Sequence, residues 1–290
     1  MVSNSPIIVS SPAACSGATF IQRLISSSDN GICYGADAAR RLLMLSEFTH
    51  SECLALQEHR DLQSFYLQNL LAGNQDFGVA DLEIPGELPK HALVGALMFF
   101  KQHYDEATKA IEKEVWACKS PKSSFLSIVK AADFIPDLKC IYIYRNIVDV
   151  VRSQKSLGLI STEDQLIATC TEWINNTDVI AALSRKNFES VPAMLHPIKF
   201  EVFLADKDAA ISQLEAFSGL KNIQREIADL KVNRHTPASD TDPTPVLSYE
   251  DPATLTDVEL HIIAHLCQDR LTEIYPESPD LLQSSKMTIQ

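Results

Sequence analysis

Apolar and polar positions along the chain follow two rhythms. Residues 6–11 (PIIVSS), 115–120 (VWACKS) and 139–145 (KCIYIYR) are short apolar runs that read as buried strands. Residues 31–36 (GICYGA) and part of 193–204 (AMLHPIKFEVFL) read the same way. Between these runs the apolar residues fall at helical spacing. Phe20, Ile21, Leu24 and Ile25 mark a helix over 17–28, and Leu42, Leu43, Leu45, Phe48, Leu54 and Leu56 supply the buried face of one over 37–71. Further helices are predicted at 91–114, from Pro121 to about 132, at 147–156 with Asn146 as its cap, at 162–185, at 207–220 closing on Gly219, and at 255–275. Phe99 and Phe100 read as core. The stretch 81–90, with two prolines and a glycine, is expected to be irregular, and the proline-rich segment 237–252 to link the last helix to the rest. Strands separated by helices predict an α/β fold: a mainly parallel central sheet with helices on both faces, in a single domain over 1–290. Ligands of such sheets sit at the C-terminal strand ends, which brings the loops after Ser11, Cys118 and Tyr144 together.

Composition narrows the class. No window of about 18 uncharged apolar residues occurs, so no membrane span is expected. The N-terminal MVSNSPIIVSS lacks the basic start and long apolar core of a secretion signal. Seven cysteines without any CxxC spacing point to free thiols in a reducing, cytoplasmic setting. A net charge of −13 argues against nucleic acid, acidic membranes and heparan-like polyanions as partners. One window departs from that balance: residues 119–155 hold seven bases against three acids. Such a local positive field suits a compact anion, although a solvated helix face would read alike.

The segment IIVSSPAACSGATFIQRLI (7–25) has the outline of a strand, a small-residue loop and a helix start. Backbone N–H groups at such a junction cradle an anion, aided by the helix dipole. Ser16, Gly17, Ala18 and Thr19 are small enough for close backbone approach, and Ser16 and Thr19 add hydroxyl donors. The nucleotide-kinase pattern of Gly, four residues, then Gly-Lys-Ser/Thr is absent: Pro12 and Ala18 stand at its first glycine and its lysine. A kinase is therefore disfavoured. Alone, the loop reads equally as a tight strand–helix turn.

Three segments together resemble the sulfotransferases that use 3′-phosphoadenosine-5′-phosphosulfate (PAPS), enzymes with a P-loop-like fold. IPDLKCIYIYRNIVDVVRSQKS (135–156) is similar to the family's 3′-phosphate segment, in which an Arg ends the strand and a Ser follows eight residues later; Arg145 and Ser153 hold those places. PIIVSSPAACSGATFIQRLI resembles the 5′-phosphosulfate loop, usually Pro, Arg or Lys, Ser, Gly, Thr, Thr. IKFEVFLADKDAAISQLEAFSGL (198–220) resembles the family's following strand and helix, with Glu201 a structural candidate. WACKSPKSS (116–124) is similar to an element whose lysine stabilises the transferring group, here Lys119. The resemblance implies transfer of a sulfuryl group to a hydroxyl or amine of a small-molecule acceptor, leaving 3′,5′-bisphosphoadenosine (PAP) and needing no metal. It implies cofactor contacts from Cys15, Ser16, Gly17, Ala18, Thr19, Phe20, Arg145 and Ser153.

Two departures stand out. Cys15 occupies the place of the loop cation, and Gly35-Ala36 stands where related enzymes carry Gly-Glu. Loss of one cation at a transferring group costs on the order of 2.7–4 kcal/mol, by analogy with loss of an oxyanion donor. Lys119 or Lys122 is the candidate replacement. Asp37, His50 and His91 are the candidate bases, with Asp37 nearest the expected place, where it equally reads as a helix-start residue. The alternative is a catalytically weakened protein that binds PAPS or PAP. Cys15, at a helix N-terminus, is expected to have a lowered pKa and to be sensitive to oxidation. His261, His265 and Cys267 lie close in sequence but lack a further ligand, so they read as structural.

Overall fold

The β-branched, cysteine- and tyrosine-rich runs form five short strands: β1 (Ile7–Ser11), β2 (Gly31–Tyr34), β3 (Val115–Pro121), β4 (Lys139–Tyr144) and β5 (Leu195–Lys199). They pair in the order β2-β3-β1-β4-β5, and every pairing is parallel. The computed structural model describes residues 6–74, 82, 88–229 and 253–277. The segment 237–252 lies outside the described residues, as does most of 81–90.

Every residue of β1 is buried, which is why its sequence is a continuous apolar run rather than an alternating one. Its two faces feed two cores. Ile8 joins Cys118, Cys140, Tyr142 and Tyr144 on one face. That face is covered by α2 (Ala36–Glu58), α4 (Leu88–Ala110), α5 (Phe125–Ala132), α6 (Ile147–Ser156), α7 (Glu163–Asn176), α8 (Asp178–Ser184) and α11 (Asp257–Ile274). Ile7 and Val9 join Ala117, Ile141 and Ile143 on the other, covered by α1 (Ala18–Ser27), α9 (Phe200–Ala205), α10 (Lys207–Ser218) and a 3-10 turn (Arg225–Asp229). The doubly covered parallel sheet expected from the sequence is thus what forms. Because β1 lies between β3 and β4, the loops leaving these three strands are neighbours.

Several boundaries differ from the sequence reading. The helix expected over 37–71 is two, α2 and α3 (Arg60–Leu71), parted at His59, whose φ of −98° and ψ of 4° leave the helical region. The helix over 162–185 is likewise divided at Thr177, whose hydroxyl donates to the Trp173 carbonyl at 2.8 Å and bends the chain there. Pro121 ends β3 instead of opening a helix, and α5 starts after Ser124, which caps it by accepting from the Leu126 amide. Phe99 and Phe48 are exposed, not core. A 23-residue helix such as α2 is roughly 35 Å long, about twice the span of a five-residue strand. Its distal half therefore overhangs the sheet. Among the described residues no helix is long and apolar enough to cross a membrane.

A buried ion pair fastens α4 to the sheet. Asp105 accepts from Lys101 at 2.7 Å and from the Trp116 indole N–H at 2.7 Å, while Tyr104 stacks on Trp116 with ring centroids 5.1 Å apart. Asp105→Ala strands the Lys101 ammonium and the indole donor. It should cost about 3 kcal/mol, read from the urea unfolding midpoint; a loss below about 1 kcal/mol, as for a surface pair, would show that this pair is solvated.

Candidate active site

The chain leaves β1 at Ser11, turns through residues 12–17 and enters α1 at Ala18. Cys15 (φ 66°) and Gly17 (φ 112°) both take positive φ, backbone turns that gather successive N–H groups into an anion-binding concavity. Gly17 is required twice over: its backbone disfavours a side chain, and a Cβ there would meet Ile143 Cδ1 at 2.7 Å and Phe200 Cδ2 at 2.9 Å. The first-turn amides of α1 have no intrahelical acceptors. Among the described residues the first of them paired to a loop carbonyl is that of Ile21, which donates to Gly17 at 3.1 Å.

Three side chains hold the loop by its carbonyls. Asn176 donates to Pro12 O at 2.9 Å, Gln154 to Ala14 O at 3.0 Å, and Arg145 to Cys15 O at 3.4 Å. Gln154 is itself fixed by Thr169, and the backbone of Arg145 by the Trp173 indole at 3.0 Å. With these carbonyls turned toward α6, α7 and the end of β4, the amides and the Ser16 hydroxyl are left for a ligand. Ser16 Oγ is buried and, among the described residues, has no hydrogen-bond partner. An orphaned buried hydroxyl at a helix N-terminus fits the oxygen of a phosphate or phosphosulfate group.

The sequence-predicted residues converge on this loop from different elements. Arg145 lies 4.9 Å over the Phe200 ring, and Ser153, two turns along α6, hydrogen-bonds the Cys15 thiol. Lys119 reaches across from β3 to donate to the Thr19 hydroxyl at 3.2 Å, because Lys119 is the register partner of Val9 in β1. Burial holds the Lys119 ammonium below the usual lysine pKa of 10.5. Neither Arg145 nor Lys119 is paired with a carboxylate among the described residues. Lys122 also lies near Cys15 but is ion-paired with Glu172 at 2.9 Å. The Phe20 side chain points into the core against Phe203 and Phe200, with centroids 5.0 and 5.8 Å away, so only its backbone faces the loop. Ala18 is buried beside it.

Cys15 departs from expectation. Burial pushes its thiol pKa up, and the opposing effects of the Ser153 hydrogen bond and of the Arg145 and Lys122 charges do not overcome it. The helix N-terminus does not make a thiolate here.

Beyond β2 and β3 lies a cavity of about 330 Å³. Ala36, Asp37, Arg40, Leu43, Met44 and Glu47 of α2 form one wall, and Ser120, Pro121, Ser123 and Ser127 the other. Asp37 pairs with Arg40 at 3.2 Å, and Ser127 donates to Glu47. Of the three candidate bases only Asp37 lines this cavity; His50 faces Asp133 at 3.7 Å between α2 and α5, and His91 is exposed on α4. Glu47 was missed by the sequence reading, although residues 37, 40, 44 and 47 form one helical stripe. Gln154, Asn176 and Glu172 were missed too, and their spacing carries no signal. A larger cavity of about 580 Å³ lies at the opposite end of the sheet. Its Lys113 donates to the carbonyls of Ser28 and Asp29 just past α1, and Arg23 lines it as well. Among the described residues no three His, Cys, Asp or Glu side chains are grouped to hold a metal, and His261 and His265 face solvent while Cys267 is buried.

A parallel sheet with a small-residue loop and helix start after its central strand, and beside that loop two cations without a carboxylate partner among the described residues, defines an α/β protein with one clearly marked candidate site. The model of the sulfotransferase family matches residues 6–224, and the chain belongs to that family. Among curated proteins none matches the chain. Solved structures similar to it include the sulfotransferase domain from the curacin biosynthetic pathway, 18% identical over 76% of each chain with a TM-score of 0.44. The sulfotransferase domain from the Synechococcus PCC 7002 olefin synthase is 14% identical over 90% of this chain and 94% of that one, with a TM-score of 0.44. A sulfotransferase from Mycobacterium tuberculosis H37Rv is 15% identical over 78% and 71%, with a TM-score of 0.34.

Replacing Gly17 by Ala should destabilise the protein by about 1–3 kcal/mol through backbone strain and crowding, measured by thermal or urea unfolding. Wild-type stability in that variant would mean that the loop shifts freely.

Proposed function

We propose that the protein transfers the sulfuryl group of PAPS to a small-molecule acceptor, by way of the loop after β1. The observation that carries this reading is an orphaned Ser16 hydroxyl in a loop that Arg145 and Lys119 approach, two cations without carboxylate partners among the described residues of a protein of net charge −13. A buried hydroxyl without a partner calls for a ligand oxygen, and the two cations beside it suit an anionic one.

In this reading the amides and hydroxyls of Ser16, Gly17, Ala18 and Thr19 hold the 5′-phosphosulfate, while Arg145 and Ser153 hold the 3′-phosphate. When bound, PAPS supplies the sulfuryl group and leaves as PAP. Lys119 is the catalytic cation. It donates to the bridging oxygen as negative charge builds there, taking over the role that Cys15 cannot perform. Lys122 adds to the same field from across the loop. Asp37 receives the acceptor proton at the cavity wall. The chemistry rests on positioning and fixed charge rather than on a covalent intermediate.

Calorimetry should show PAP binding well above AMP or ATP, with Arg145→Ala weakening it about ten- to hundredfold, the worth of a charged hydrogen bond. Equal affinity for AMP and PAP would overturn the donor assignment. PAP binding without sulfation of any acceptor would make the chain a binding protein.

The Lys119 pKa gives a second test. Its role requires the protonated form, so kcat/KM should fall as pH rises through a value below the 10.5 of free lysine. Lys119→Arg should move that fall upward, and Lys119→Ala should lower kcat about a hundredfold or more. A wild-type profile flat to about pH 10 would remove Lys119 from the chemistry.

A further inference from the structure

The cavity beside Asp37 has a chemical bias and an apolar exit. Among the described residues its only cation, Arg40, is already engaged by the Asp37 carboxylate at 3.2 Å and by Met44 Sδ at 3.6 Å. Its second carboxylate, Glu47, accepts from Ser127. Ser120 and Ser123 hydrogen-bond each other, and Ser123 O accepts from Ser10 at 3.2 Å. The lining therefore has one base against two acids and no free cation, which disfavours an anionic acceptor. Its lining combines hydroxyl-compatible polar groups with the apolar side chains of Leu43, Met44 and Pro121.

At about 330 Å³ the cavity is small for a ligand site, and its apolar wall continues outward. Met44 is 57% exposed, and Phe48, one turn further on the same face of α2, is 53% exposed. Leu126, next to Ser127 on α5, is 62% exposed. Phe48 follows Glu47 and Leu126 precedes Ser127, two lining residues that hydrogen-bond each other, and exposed apolar side chains beside a cavity suit a binding surface better than scattered ones do. On α2 the buried positions are Leu42, Leu43, Ser46 and Thr49, which leaves Met44 and Phe48 turned away from the core.

We propose that the acceptor is an uncharged amphipathic alcohol: its hydroxyl enters the cavity toward Asp37 and its apolar tail lies along Met44, Phe48 and Leu126. The inference rests on the transferase reading above. In the transfer, the alcohol oxygen forms the new O–S bond and its proton passes to the Asp37 carboxylate. The bond from sulfur to the bridging phosphate oxygen breaks, and its electron pair leaves on PAP.

The test uses the full chain with PAPS and four probes: ethanol, 1-butanol, 1-octanol and 8-hydroxyoctanoate, with sulfate esters measured by mass spectrometry. KM should fall from ethanol to octanol by up to about threefold per added methylene, and the hydroxyoctanoate should be the poorer substrate of the two long probes. Phe48→Glu and Leu126→Glu, exposed changes that keep the fold by circular dichroism, should each raise KM for octanol about tenfold and leave ethanol turnover unchanged. KM independent of tail length, or variants that affect ethanol and octanol equally, would overturn the proposal. Calorimetry with octanol and PAP-loaded protein separates the two levels. Octanol binding weakened by Phe48→Glu supports the surface even where no transfer occurs, and that outcome counts against the transferase reading alone. PAP binding with no octanol binding overturns the surface and leaves the donor site standing.

Discussion

Three side-chain amides and guanidinium groups grip the backbone carbonyls of one short loop, and the site depends on that grip. Asn176, Gln154 and Arg145 hold Pro12, Ala14 and Cys15. A loop of six residues has enough freedom to turn its carbonyls toward a ligand and spoil an anion site. Fixing three carbonyls on the α6–α7 side removes that freedom before any ligand arrives, so the ordering entropy is spent in folding and not in binding. The clamp is supported from behind: Thr169 orients Gln154, Trp173 holds the backbone of Arg145, and Gly17 packs on Ile143 and Phe200. Much of α7 thus serves the loop rather than the core alone.

The same packing accounts for the missing loop cation. Cys15 is hemmed in by Ser153, Arg145 and Lys122. A lysine or arginine at that place would lie against two other cations in a partly buried setting, where like charges are costly. A neutral thiol avoids this. Lys119 brings positive charge to the other side of the loop, from β3 to Thr19, by virtue of strand order. Charge at the loop is conserved in space while it is relocated in sequence. Catalytic competence in the proposed reaction then turns on Lys119, not on residue 15.

How far the sequence reveals this depends on how local the cause is. The β1–loop–α1 unit is legible from IIVSSPAACSGAT because a buried strand and a small-residue turn each have a short-range signature. The parallel sheet follows from alternating strands and helices. The breaks at His59 and Thr177 are not legible, since neither carries a glycine or proline signal. Burial of Phe48 and Phe99 was over-read because apolar residues fall on more than one face of these helices, and the packed positions are Leu42, Leu43, Ser46 and Thr49 on α2 and Leu97 on α4. The clamp residues Gln154 and Asn176 are ordinary polar residues on ordinary helices. Only the fold gives them a target. Lys119 lies between these cases: its motif is readable, but its contact with Thr19 exists only because β3 lies beside β1.

The two halves of the site are built to different tolerances, and this difference has a physical origin. In the proposed reaction the donor half lies over the centre of the sheet, where β1 is fully buried and the carbonyls of Pro12, Ala14 and Cys15 are each held by a side chain. Small changes there meet close packing and are felt at once. The acceptor half hangs on α2, which is held near its start by Leu42 and Leu43 and by contacts to α4 and α5, while α3 buries no residue at all. The Asp105–Lys101–Trp116 anchor keeps α4 on β3, so the overhang moves with the sheet instead of swinging free of it. A rigid donor cradle beside a lightly packed acceptor wall lets residues such as Met44 and Phe48 vary at little cost in stability. In the proposed reaction acceptor choice thus rests on α2 and α5, apart from the loop after β1 that holds the donor.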